Sequence, residues 1–411
     1  MTIWARLREE FSFISGNILV LTITLMIIVF AAAIPWTYYP KYVEGLGGTP
    51  FIVGVIGFSS YAALALVQFP GGYLADEYGR RWLIITMTFG TAVTYVLYAA
   101  APTWHFILVA AVLQSLCLIY QPAILALVAD SMPPEKRGMG FSIINFIHYV
   151  SVPSPIIAGL LSIRYGLIFG MRIAYLIVAV SFLAAAVIRI RLTETLGIRT
   201  ERIPLVEFFR VFPGSVSESL RALKTVSRSM LFLFVSFAIH NFAWFACVLN
   251  LIFYATEILH IKDFEWAVLM MLFSAMYILS ALPCGKIIDK FGRKKPLLTA
   301  WFLFIPAMTA FVYGNLIILS ICFLLLGVAL ILANTAYPAL QADLVAREKR
   351  GKIAGSTYFF YNIMNSLGQL SGGFMYQYLS PALPFLTSST LYVPCLLLTL
   401  FFVHEPAKRE I

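Results

Sequence analysis

The sequence predicts an all-α membrane protein whose twelve transmembrane helices form two six-helix, pseudo-symmetric bundles. Three observations point there: composition, a ladder of long apolar runs, and a tandem repeat. Of 411 residues, 61% are apolar and only 12% charged, with a mean hydropathy of +0.89. That is far too apolar for an ordinary soluble domain. Twelve spans of about 20 residues need roughly 240 apolar positions, close to what the chain holds. The repeat has a constant offset of 213 residues, with Asp130, Glu135, Lys136, Arg137 and Gly138 returning as Asp343, Glu348, Lys349, Arg350 and Gly351. An even number of spans between the copies makes the two halves parallel.

The apolar runs place spans at residues 14–40, 51–75, 82–101, 104–130, 139–163 and 169–190, then 229–256, 264–288, 296–313, 315–342, 352–378 and 382–403. The first run, from Phe11 to Trp36, is longer than a signal-peptide core and lacks a small-residue cleavage site, so it is read as a span that stays. The longest polar connection divides the chain into an N-terminal bundle (1–192), a linker (193–228) and a C-terminal bundle (229–411). Arg189, Arg191, Arg199, Arg202, Arg210, Arg221, Lys224 and Arg228 lie in or beside it. Leu205, Phe208, Phe209, Val211 and Phe212 among those charges suit a segment lying along the membrane surface, with a plain solvated connector as the alternative.

A net charge of +10 raises nucleic acid as a partner, and the placement of the cations argues against it. All but four of the 29 Lys and Arg fall on the side of the N-terminus; Lys41, Arg164, Arg172 and Lys262 fall opposite. By the positive-inside rule both termini are cytoplasmic, and the expected location is the plasma membrane. Cys117, Cys247, Cys284, Cys322 and Cys395 lie within or at the ends of spans with no metal-ligand spacing, so neither a disulfide framework nor a metal site is expected.

Between spans two and three the chain reads Gly71-Gly72-Tyr73-Leu74-Ala75-Asp76-Glu77-Tyr78-Gly79-Arg80-Arg81, after Pro70. It returns after Pro283 as Gly285-Lys286-Ile287-Ile288-Asp289-Lys290-Phe291-Gly292-Arg293-Lys294. Gly79 and Gly292 permit the positive φ of a short reversal. These residues resemble the loop signature of the major facilitator superfamily (MFS), Gly-x-Leu-Ala-Asp-Arg-x-Gly-Arg-Arg/Lys, and the resemblance covers nearly the whole chain. It implies the MFS fold, with parallel halves related by an axis along the membrane normal, and alternating access about a central cavity. It also implies a cytoplasmic gate in which Asp76 and Asp289 meet basic residues or a helix N-terminus. The gate set is Gly72, Asp76, Gly79, Arg80, Arg81, Asp130 and Arg137, with Gly285, Asp289, Gly292, Arg293, Lys294, Asp343 and Arg350 as counterparts. Glu77 departs from the pattern, standing where the family has a basic residue. The bland reading is a helix cap with topology-setting cations; duplication of the acid with the turn favours the gate.

Polar residues in hydrocarbon face a bundle interior or a wet cavity, so their periodicity marks candidate site residues. Span eleven carries Tyr358, Tyr361, Asn362, Asn365, Gln369 and Gly372 on one helical face. Span five carries Asn145, His148, Tyr149, Pro155 and Gly159, and the offset pairs His148 with Tyr361, Tyr149 with Asn362 and Gly159 with Gly372. Span four adds Gln114, Ser115, Tyr120 and Gln121; span seven adds His240, Asn241 and Trp244. Span ten adds Asn334, Tyr337 and Gln341, with Asn334 the mate of Gln121. The family resemblance puts spans one, four, seven and ten around the cavity, with two, five, eight and eleven beside them. Each residue has a plainer reading, since interhelical amide bonds contribute only about 0.6 kcal/mol. Buried imidazoles can be satisfied structurally, and Trp36, Tyr38, Tyr39 and Tyr42 read as interface anchors.

No Asp or Glu falls near the middle of a span, which weakens ordinary proton coupling. The remaining candidate proton groups are His148 and His240, deep in spans, and Glu44 and Glu257 at the mouth. No nucleophile–base pair, His-Glu-x-x-His spacing or phosphate loop is present; the expectation is no enzyme, no cofactor and no ATP drive. An aromatic, amide-rich lining without fixed charge suits a small neutral, amphipathic or weakly cationic solute. Tyr38-Tyr39-Pro40-Lys41-Tyr42 is similar to the end of span one in drug-exporting members, which favours efflux. Ser154-Pro155-Ile156-Ile157-Ala158-Gly159 is a degraded match to the antiporter Gly-Pro-x-x-Gly-Gly motif. Uptake of a sugar or similar neutral solute is the alternative, and a non-transporting membrane receptor is the alternative of another class. The expected partners are a small-molecule substrate, protons as a candidate coupling ion and the lipid bilayer, with a monomer as the working unit.

Overall fold

The computed structural model describes residues 15–132, 147, 151–195, 226–345 and 350–405. Among them the chain is helical and without strands, as backbone groups in hydrocarbon require. Ten helices are long and apolar enough to cross a bilayer. Ser154–Tyr165 and Arg350–Phe374 occupy the fifth and eleventh places in the predicted order. Most ends fall within a few residues of the reading above; span nine, for example, is Lys294–Val312. Asn145, His148, Tyr149, Arg137 and most of the linker lie outside the described residues, as do the side chains of Asp76, Asp289 and Arg350.

Five spans read as continuous are interrupted among the described residues, span eight at Ser280 and span eleven by a π turn at Met375–Leu379. Span one runs Gly16–Trp36, breaks at Thr37 and Tyr38, and resumes as Tyr39–Gly45. Pro35 and Pro40 flank this break, each lacking the N–H that would continue the ladder. Span four passes through a 3₁₀ turn at Leu118–Tyr120 just before Pro122. Span seven breaks at Val248–Asn250, where the Asn250 amide donates to the Ala246 carbonyl at 3.0 Å, and then passes through a π turn at Tyr254–Ile258. Irregular backbone at membrane depth is tolerated where protein or a cavity surrounds it.

The two halves meet away from the termini, at what we term the far face; the ends near Gly16, Arg189 and Arg228 form the terminal face. Span two (Pro50–Tyr78) packs along span eleven through glycines. A Cβ on Gly54 would lie 2.6 Å from the Gln369 carbonyl oxygen and 3.2 Å from the Gly373 Cα. A Cβ on Gly373 would lie 2.7 Å from the Pro50 carbonyl oxygen. Span five packs on span eight (Asp263–Leu279) in the same manner, with a Cβ on Gly159 at 3.0 Å from the Ala267 Cβ. The offset makes Gly54 and Ala267 equivalent, and likewise Gly159 and Gly372. The two crossings are therefore pseudo-symmetric. Between described residues, the hydrogen bonds that join the halves are also on this face: Tyr38 OH to the Asp263 carbonyl at 2.5 Å, Trp266 Nε1 to the Thr37 carbonyl at 3.0 Å, Ser366 Oγ to the Phe58 carbonyl at 2.9 Å, and the Lys41–Glu257 pair.

One cation read as flanking the linker is inside the bundle. Arg189 is fully buried, donating from Nε to Thr24 Oγ1 at 3.1 Å and from Nη1 to Thr88 Oγ1 at 2.7 Å, with the Tyr120 ring 5.6 Å from its guanidinium carbon. Its Nη2 has no partner. The second copy has Phe402 there and Trp301 opposite Thr88, so the cation hub is not duplicated.

Replacing Gly373 by Val should force the far face apart, because its neighbours are backbone atoms that cannot yield. Overpacking of this kind costs about 1–3 kcal/mol. Maleimide labelling of a cysteine placed at Ser366 should then be several-fold faster than in the same chain carrying Gly373. Gly355→Ala, where a Cβ meets nothing within 4 Å, should leave the rate unchanged.

Candidate functional site

The helix interruptions of spans one, four and seven converge on a central cavity. Trp36 and Tyr39 flank the break in span one, Leu118 opens the turn in span four, and Leu249 sits in the break of span seven. With Tyr61, Tyr95, Tyr98, Tyr175, Gln114 and Gln369 they line a volume of about 210 Å³. A second volume of about 380 Å³ lies between spans one, five and eight, lined by Pro155, Met270 and Phe273 among others. The two share Ala32 and Trp36. Among the described residues no charged side chain lines either.

The first volume is built on a tyrosine–amide frame. Gln114 donates from Nε2 to the Tyr95 hydroxyl at 2.6 Å and accepts at Oε1 from the Tyr98 hydroxyl at 3.2 Å. The Tyr98 and Tyr175 rings stack at 4.9 Å, and Tyr42 OH donates to the Tyr98 carbonyl at 2.9 Å. An amide has two N–H donors and two acceptor lone pairs, so these bonds fix its orientation and leave one of each for a solute. Across the cavity, Gln369 is buried; its Oε1 has no partner and lies against Gly57, where a Cβ would be 1.3 Å away.

Of the predicted polar residues, Gln114 therefore lines the cavity, whereas others serve packing inside the second half. His240 is 3% exposed, hydrogen-bonded through Nδ1 to the Tyr392 hydroxyl at 3.1 Å and enclosed by Phe237, Trp301 and Phe304. Tyr337 and Tyr361 bond each other through their hydroxyls, and Tyr337 stacks on Phe237 at 3.8 Å. Asn241 donates to the carbonyl of Phe237 at 2.7 Å, and Trp244 stacks with Phe273, which lines the second volume. Asn362 and Asn365 are buried, Asn365 with an unpartnered Oδ1. Gln121, Asn334 and Tyr358 are exposed. Trp36, Tyr38, Tyr39 and Tyr42, read as interface anchors, instead line the cavity or tie helices together. Tyr95, Tyr98 and Tyr175 were not singled out, although Tyr95 and Tyr98 share a face with Thr91 and Thr94 at helical spacing.

The duplicated charges at the terminal face brace each half internally. Arg80 pairs with Asp130, and Arg293 with Asp343. Gly79 (φ 91°) and Gly292 (φ 85°) turn the chain so that the next helix presents free N–H groups, as expected. Those groups are met by residues the sequence reading missed. Glu194 accepts from the Arg81 N–H at 2.9 Å, while Glu405 accepts from the N–H groups of Arg293 and Lys294. A carboxylate at a helix N-terminus is stabilising. Lys294 Nζ also reaches the Leu400 carbonyl at 2.8 Å. At the far face, Lys41 bridges Glu44 at 3.0 Å and Glu257.

A family model described as Major Facilitator Superfamily matches residues 21–268 and 233–411. An uncharacterised MFS-type transporter of Methanocaldococcus jannaschii is 23% identical over 381 residues, 88% of each chain. The multidrug resistance protein MdtG of Escherichia coli is 26% identical over 351 residues, covering 82% of this chain and 81% of MdtG. The crystal structure of the nucleoside transporter NupG superposes with a TM-score of 0.72 at 14% identity, covering 93% of this chain and 100% of NupG. At that identity the likeness is one of fold.

Gln114→Leu should strip a partner from each of two buried phenols, destabilising the protein by about 1–3 kcal/mol. The check is the melting temperature in detergent. Gln121→Leu, on an exposed side chain of the same span, should leave it within a degree or so of the parent.

Proposed function

The chain belongs to the Major Facilitator Superfamily, and on that premise we propose that it moves a small neutral, amphipathic or weakly cationic solute by alternating access, with export of drug-like compounds as its direction. The observation that carries this reading is the central cavity: aromatic, amide-bearing, and free of charged side chains among the described residues. Dicarboxylates and phosphates need Arg or Lys clamps, and none lines it. Tyrosine and tryptophan faces accept apolar bodies and diffuse cations, while the spare donor and acceptor of Gln114 orient one polar group. Similarity to MdtG supports efflux over uptake. A hydroxyl-rich neutral solute is the second reading, favoured by Ser60, Ser115 and Gln114 on the same wall.

In this reading the far face is external and the terminal face cytoplasmic, in accord with the cation distribution. Closure at the far face corresponds to an inward-facing state. The substrate site combines Gln114 with Trp36, Tyr39, Tyr61, Tyr95 and Tyr98, and the Gln369 amide of span eleven contributes from the opposite wall. The terminal-face clusters hold each half rigid, and Asp76 and Asp289 close that face when the far face opens. Because rings enclose His240, it is not a solute-linked proton carrier in this reading, which leaves Glu44 and Glu257 among the described candidates.

Proteoliposomes loaded with a lipophilic amine, a neutral sugar or a dicarboxylate should lose the first fastest. Equal retention of all three would point to a receptor, and selective movement of the sugar would establish the second reading. Tyr61→Ala should raise the concentration for half-maximal transport several-fold. Asp76→Asn should slow turnover more than it weakens binding, and unchanged turnover would remove the gating role.

A further inference from the structure

The far face carries a charge cluster that neither the cavity nor the terminal-face pairs use. Lys41 donates to Glu44 of its own helix at 3.0 Å and to Glu257 of the other half, with its ammonium 5.0 Å from the centroid of the Phe253 ring. The 213-residue offset makes Glu44 and Glu257 equivalent positions of the two copies, whereas the counterpart of Lys41 is Tyr254. One lysine is thus shared by a pseudo-symmetric carboxylate pair, and the three formal charges sum to a net negative. Beside it lies Tyr376, 6% exposed, its hydroxyl within electrostatic reach of Glu257 and Glu44 yet without a hydrogen-bond partner. A buried phenol without a partner beside two carboxylates is costly. Both glutamates keep over a third of their side-chain surface open, 38% and 39%, so protons from the aqueous side reach them.

We propose that this cluster is a proton-binding latch on the far face. With both carboxylates ionised, Lys41 ties the halves together across the cavity mouth. A proton taken from water by the Glu257 carboxylate neutralises that residue, and Lys41, still protonated, stays with Glu44 three residues along its own helix. The cross-half pair is lost while the pair within one half persists. Acid therefore favours parting of the halves, and alkali favours closure.

Of the other titratable and charged groups described around the cluster, Tyr38 bridges the halves through its hydroxyl, and it does so to a main-chain carbonyl. Tyr254 donates to the Val312 carbonyl at 3.1 Å, and Arg172 to the Ala101 carbonyl at 3.1 Å. Glu265 accepts from the Lys262 N–H, and Asp263 meets Tyr38 through its main-chain carbonyl, which does not titrate. His105 lies on Trp104. His260 is exposed on the loop after Glu257, so it needs its own control.

The inference rests on the alternating-access reading, and the test separates the two. The full-length chain in lipid nanodiscs, with its native cysteines replaced by alanine, is spin-labelled at Tyr165→Cys and Leu379→Cys, exposed far-face positions in different halves. Label separations are recorded from about pH 7.5 to about pH 4.5, across which side-chain carboxylates take up protons. The long-distance population should rise about two- to fivefold on acidification, the scale of one lost, partly exposed ion pair. Glu257→Gln should show the raised population at both pH values, and Glu44→Gln and His260→Gln should retain the response. A parent-like acid response in Glu257→Gln, or loss of the response in His260→Gln, overturns the latch. A single short separation under all conditions, even with Gly373→Val, contradicts alternating access itself.

Discussion

Closure of this molecule depends on how nearly two pairs of helix backbones can approach at the far face. Without Cβ atoms at Gly54 and Gly373, spans two and eleven come within van der Waals range of each other's main chain, and Gly159 lets span five do the same against Ala267 of span eight. Helices in a bilayer gain little from hydrophobic burial against one another and associate through close packing and hydrogen bonds. A contact made of small residues supplies that packing over a flat surface. Side chains lock onto it at its ends and middle, Phe51 against Phe374 and Tyr378 and the Gln369 amide against Gly57.

The interior follows from the same economy of charge. Among the described residues carboxylates stay at the two faces, and the central cavity is walled by phenols, indole and amides. Arg189 is the buried exception, held by two threonine hydroxyls and an aromatic face in place of an acid. Breaks in spans one, four and seven bring irregular backbone to the cavity, the place where a bilayer tolerates it. At the terminal face, the Arg80–Asp130 and Arg293–Asp343 pairs and the Glu194 and Glu405 caps tie each half to itself.

Much of this was legible in the residues. The 213-residue offset revealed the parallel halves, and the glycine–arginine turns fell where Gly79 and Gly292 adopt positive φ. Gln114 stood out as a strongly polar residue within its span and proved to anchor the cavity frame. The aromatic wall was harder to see, because tyrosine near a span end reads equally as an interface anchor. Tyr95, Tyr98 and Tyr175 lie on spans three and six, which the family resemblance leaves out of the cavity. His240, Tyr337 and Tyr361 share helical faces with amides, but periodicity cannot distinguish a face turned to a cavity from one turned to an aromatic core such as Trp301, Phe304 and Tyr392. Glu194 and Glu405 follow the last helices of their halves, where no periodic pattern singles them out.

The most direct measurement is transport under a reversible lock on the far face. Cysteines replacing Phe58 and Ser366, whose atoms meet at 2.9 Å across the halves, would be oxidised to a disulfide in an otherwise cysteine-free chain in proteoliposomes. If spans two and eleven must separate in every cycle, solute movement should cease on oxidation and return on reduction. Undiminished movement through the locked protein would contradict a pathway that opens between the halves.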